Sequence, residues 1–171
     1  MSNKRLLVIA FGNPLCRDDG VGIAAIEELR RRGMERPGVD LMDGGARGID
    51  LLSLLEEYDL ALVLDAALAR EEPVGEIVEV DLGDARFLLR PRLSLHNLDL
   101  GTAFELARAL DMKLPRVELV LMRVRDVGPG EGLTEAARSA LPAMVEAAAR
   151  KINGFANRMS RARAAEAGEE G

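Results

Sequence analysis

Two apolar runs constrain this chain more than any other feature: "RLLVIAF" at 5–11, continuous after Arg5, and "LALVLDA" at 60–66, interrupted only by Asp65. A strand with one wet face alternates apolar and polar residues. A strand covered on both faces reads as a continuous aliphatic run. Strands of that kind belong to parallel sheets flanked by helices, and helix-like segments do follow them here. Residues 21–32 carry Ile23, Ile26 and Leu29 at helical spacing, and "VDLM" (39–42) is a second strand ending in the turn "DGGARG" (43–48). Residues 49–57 form a short helix with Leu51, Leu52, Leu54 and Leu55 on its apolar side.

The pattern changes at "GEIVEVDL" (75–82), where Val78, Val80 and Leu82 alternate with acids as on a half-exposed edge strand. Too few residues separate it from the preceding strand for a parallel crossover, so it should run antiparallel. After the irregular "RFLLRPRLSLHN", residues 98–111 predict a helix, "RVELVLMRV" (116–124) a fifth strand and "RDVGPGEG" (125–132) a loop. A final helix over 134–152 has Thr134 as its N-cap. The fold class expected is α/β: a three-layer sandwich around a mostly parallel, five-stranded twisted sheet, with one antiparallel edge strand and helices on both faces. It forms one domain, 1–152. The segment 153–171 lacks an apolar face after Phe155 and is read as frayed helix or disordered tail.

With no Trp, one Tyr and four Phe, the core must be aliphatic. A net charge of −6 gives no general attraction to nucleic acid or anionic membrane. The single cysteine, Cys16, excludes an intramolecular disulfide and a multi-thiolate zinc cage. No signal-peptide pattern precedes the first strand, and no apolar run is long enough to span a bilayer. The expectation is a cytoplasmic protein.

In open α/β sheets, sites form outside the carboxyl ends of the parallel strands. Those ends carry Asp19 in "GNPLCRDDGVG" (12–22), "DGG" after strand two and Asp65 closing strand three, while the Gly-rich loop 128–132 follows strand five. The only histidine, His96, precedes a helix in a segment able to reach the same edge. Two carboxylates and an imidazole suit a borderline divalent metal. Each residue also has a plainer reading. Asp18 or Asp19 can cap the following helix, Asp65 can cap the segment after it, and a lone histidine is usually structural. Gly20 and Gly22 weaken the capping account, because glycine in a first helical turn costs about 1 kcal/mol relative to alanine. Something must approach the backbone closely there. The glycines of "DGGARG" serve a turn, and can also admit an extended peptide. Cys16 is read as structural rather than nucleophilic.

In that order, "GNPLCRDDGVG", "DGG", the acid of "LVLDA", "LSLHNLDL" and "GEGLT" resemble the hydrogenase maturation proteases, over about residues 5–152. These endopeptidases trim the C-terminus of the nickel–iron hydrogenase large subunit. The resemblance implies a metal-binding triad, which by motif falls on Asp19, Asp65 and His96, with Gly44, Gly45 and Gly48 on the substrate side. Ala46 stands where many relatives have Thr. The implied partner is a large-subunit precursor already loaded with nickel, so that nickel is carried by the substrate. A monomer suffices for this task. The first acid of the pair would cap or brace the helix, and Gly20 and Gly22 would leave room for the substrate tail.

The chain lacks a Gly-x-Ser-x-Gly elbow and a His-Glu-x-x-His helix, which leaves acid- or metal-assisted hydrolysis. Two rival classes stand beside this one. A nucleotide-binding Rossmann-like domain is disfavoured by "GNP" in place of Gly-x-Gly and by the acid pair, which repels a pyrophosphate. A non-catalytic nickel-binding chaperone would need the same three ligands.

Overall fold

The computed structural model describes residues 5–45, 50–81 and 109–169. Five strands, β1 (Leu6–Phe11), β2 (Val39–Gly45), β3 (Leu60–Leu68), β4 (Ile77–Asp81) and β5 (Arg116–Val124), form one sheet in the order β2-β1-β3-β5-β4. β1 pairs in parallel with β2 and β3, β3 pairs in parallel with β5, and β4 pairs antiparallel at the edge. The alternating acids of β4 suit that edge.

Successive residues of each central strand feed two different cores, which accounts for the nearly continuous apolar runs. On one face Leu6, Val8, Leu62 and Leu64 meet Ile23, Ile26 and Leu29 of α1 (Val21–Arg31) and Met144, Val145, Ala148 and Ile152 of α3 (Glu135–Glu169). On the other, Leu7, Ile9, Val63, Leu119 and Leu121 pack with Leu55 of α2 (Asp50–Leu55) and with Tyr58. This is the expected α/β architecture, with helices on both faces of a mostly parallel sheet.

Two boundaries differ from expectation. β3 continues to Leu68, so Asp65 lies within the strand, opposite Leu121 of β5, rather than closing it. The pairing with β5 on its far side carries β3 past the point where β1 stops. The last helix continues beyond 152 to Glu169, through the segment read as frayed helix or tail. Phe155 is buried in the first core and Met159 packs against it, prolonging the apolar stripe that begins at Ala137. Among the described residues, no helix is long and apolar enough to cross a membrane. The expected helix at 98–111 lies almost wholly outside the described residues.

Candidate active site

The strand order places the site. From β1 the chain moves outward to β2, then returns past β1 to β3 on its other side. The order therefore reverses between β1 and β3, and a crevice opens at the carboxyl ends of those two strands. The β1–β3 pairing ends at Ala10↔Leu64. Asp65 is the next residue of β3, and its side chain shares the face of Ala61 and Val63. The turn that leaves β1 fills the space beside it.

That turn is a 3-10 turn, Arg17–Gly20, running directly into α1. Asp18 and Asp19 are both buried, yet neither side chain caps a helix that follows. Asp19 Oδ2 accepts the Asn13 amide at 2.8 Å, which folds the carboxylate back over the end of β1. Asp18 faces elsewhere. Its two oxygens accept the backbone N–H and the hydroxyl of Thr134, each at 2.7 Å. The capping expectation thus gives way to two separate anchorages. Thr134 itself does act as a cap, its Oγ1 accepting the Ala137 amide at 3.4 Å.

The glycines of the turn require a second correction. A Cβ on Gly22 would lie 2.5 Å from the Leu64 carbonyl oxygen, and one on Gly20 would lie 2.8 Å from the Pro14 Cα. The space that glycine leaves is filled by the chain's own backbone, so it is not open to a substrate tail. The close approach seats the start of α1 on β1 and β3, bringing Asp19 toward Asp65. Gly44 is likewise packed on β1, its missing Cβ 2.8 Å from the Ala10 carbonyl oxygen. Gly45 is exposed and has a positive φ of 46°. Gly48, Ala46 and His96 lie outside the described residues.

Asp65 is fully buried. Its Oδ1 accepts the Ala66 amide at 2.7 Å, while Oδ2 has no hydrogen-bond partner among the described residues. Burial pushes its carboxyl up to about 7, the negative charge of Asp19 adds to the rise, and the Ala66 N–H opposes it. A carboxyl poised near neutrality can take up or release a proton at working pH. A cation between the two acids would instead favour both ionised, and the unused Oδ2 offers it a donor. Among the described residues, no group of three candidate metal-ligating side chains occurs. The two acids come together, and the third proposed ligand lies outside that set.

The loop 125–132 was visible in the sequence as Gly-rich, but its attachment was not. Arg17 N–H donates to the Gly130 carbonyl at 2.8 Å, Gly130 N–H to the Leu15 carbonyl at 2.9 Å and Asp18 N–H to the Asp126 carbonyl at 3.1 Å. Cys16, half-buried, pairs through its backbone with Gly130. These are contacts across more than a hundred residues of chain, between backbones, and no side-chain pattern encodes them.

The model of the HycI family, described as hydrogenase maturation protease, matches residues 23–151. The chain is 26% identical over 148 residues to the hydrogenase 2 maturation protease of Escherichia coli, covering 86% of this chain and 88% of that protein. It is 37% identical over 94 residues to the hydrogenase expression/formation protein HupD of Bradyrhizobium diazoefficiens, covering 55% of this chain. That match spans about half of the Bradyrhizobium protein, 49% of its length. In fold it is similar to the hydrogenase maturating endopeptidase HybD from Escherichia coli, with a TM-score of 0.75 at 22% identity over 88% of this chain and 93% of that one. A match to the family model across three-quarters of the sequence settles the kinship: the chain belongs to the hydrogenase maturation protease family.

Proposed function

We propose that this chain is an endopeptidase that removes the C-terminal extension of a nickel–iron hydrogenase large-subunit precursor after nickel has been inserted. Family membership supports the peptidase reading. The observation that carries the site is Asp65: a buried carboxylate at the sheet's switch point, close enough to feel Asp19, with one oxygen unused among the described residues. In this reading Asp19, Asp65 and His96 recognise the nickel carried by the substrate. In the same reading Gly45 and Gly48 would contact the incoming tail, while the absent side chain of Gly44 lets β2 close on β1. Water adds to the scissile carbonyl and gives its proton to one of the two carboxylates. The C–N bond then breaks and the proton leaves on the amine of the released peptide. The new carboxylate stays on the large subunit. One monomer acting in the cytoplasm suffices.

The test is the intact mass of a cognate precursor incubated with this protein, with and without inserted nickel. Loss of one defined C-terminal peptide from the nickel-loaded sample alone is expected. An uncut precursor, with the nickel confirmed in place and the protein folded, overturns the peptidase reading in favour of a nickel-binding chaperone.

A further inference from the structure

We propose that Asp18 is a positioning residue: through Thr134 it clamps the 3-10 turn to the start of α3 and thereby fixes the carboxylate of Asp19. This rests on the peptidase reading, in which Asp19 meets the substrate's nickel. Asp18 is 1% exposed, and both of its oxygens are spent on a single residue 116 positions away. An acid adjacent to a metal-seeking acid would compete for the same cation if it were free to turn. The Thr134 bonds hold it to the opposite side.

The turn that carries both acids is not regular enough to hold itself. Arg17 has a φ of 46°, a conformation disfavoured for residues with a side chain. It is retained because its N–H donates to Gly130 and its guanidinium lies over that glycine, where a Cβ would come within 3.0 Å of Nε, with Asp126 at 3.4 Å. The loop 125–132 and Thr134, just ahead of α3, thus grip the turn and its approach at Cys16, Arg17 and Asp18. Only the next residue, Asp19, turns back to β1 to accept the Asn13 amide. Releasing the grip at Asp18 frees Asp19 to rotate away from that amide. Displacements of about 1 Å at a reacting centre can cost on the order of 100-fold in rate.

Four variants and two readouts test this: Asp18→Ala, Asp18→Asn, Thr134→Val and Thr134→Ser, each followed by precursor cleavage and by exchange protection of the Asn13 amide. Asp18→Ala should lower kcat about 100-fold and Thr134→Val about tenfold, with KM within about twofold of the parent. Protection of the Asn13 amide should fall in both variants, while that of core amides such as Val8 and Leu62 stays unchanged. Thr134→Ser keeps the hydroxyl, and Asp18→Asn keeps an acceptor for the Thr134 N–H and gains a donor to its oxygen. Both should retain the protection and most of the rate. Parent-like kcat and Asn13 protection in Thr134→Val and Asp18→Ala would overturn the clamp, as would an Asp18→Asn variant that keeps the protection but not the rate. Should Asp18→Ala not fold, the Thr134 pair decides. If even the parent leaves the precursor uncut, the peptidase reading fails, and the Asn13 amide still decides whether the clamp exists.

Discussion

Gly22 lies over the carbonyl oxygen of Leu64 so closely that a Cβ there would sit 2.5 Å from it. Leu64 immediately precedes Asp65, and Gly22 follows the turn that carries Asp19. One backbone contact between helix and strand therefore sets the spacing of the two acids. The sequence shows it only as an unfavourable residue in a first helical turn.

Gly22→Ala should accordingly destabilise the protein despite alanine's higher helix propensity. The propensity gain is about 1 kcal/mol. Overpacking against backbone that cannot yield costs about 1–3 kcal/mol or more. Urea unfolding of the variant should show a lower midpoint, and a raised midpoint would remove the close-packing account.

Asp65→Asn should stabilise the fold at neutral pH while abolishing cleavage. The folded carboxyl lies at about 7, above its unfolded range near 4. The folded state then holds a proton that the unfolded state has lost. Stability from this group is full below about pH 4, falls as pH rises, and is gone above about pH 7. At pH 8 the asparagine variant should exceed the parent by up to about 4 kcal/mol, and the difference should shrink toward pH 5. Unfolding curves of both proteins at the two pH values check this. A parent as stable at pH 8 as at pH 5, with no gain in the variant, contradicts it.

His96→Ala should leave the fold intact and abolish processing, since the chain has no other imidazole. Cys16→Ser should still process the precursor, because the backbone of Cys16, not its thiol, makes the contact with Gly130. A folded but inactive Cys16→Ser protein would point to thiol chemistry instead.

Phe155→Ala should cost about 3–5 kcal/mol, as expected for a large-to-small change in a packed core. Phe155 is 7% exposed and joins the cluster formed by α1, the sheet and α3. A thermal midpoint unchanged from the parent would show that α3 beyond 152 contributes nothing to stability.

The layers of this protein were legible in its sequence because burial on both faces leaves a nearly continuous aliphatic run, and β1 and β3 carry such runs. The antiparallel edge was legible too, because its connection is short and its acids alternate. Asp65 stood out as an acid against an apolar run, and Asp19 as one of an acid pair just beyond strand one. What each carboxylate does was decided only by tertiary structure. Strand order, which sets β1 beside β3 and makes a switch point between them, depends on how helices cover two faces. No local pattern records that choice. The division of labour between Asp18 and Asp19 depends on Thr134 arriving from the far end of the chain. The role of Gly22 depends on a carbonyl oxygen of another strand. Periodicity reports which face of an element is buried, whereas partners are selected by long-range packing, and the spacing of these acids is a property of the partners.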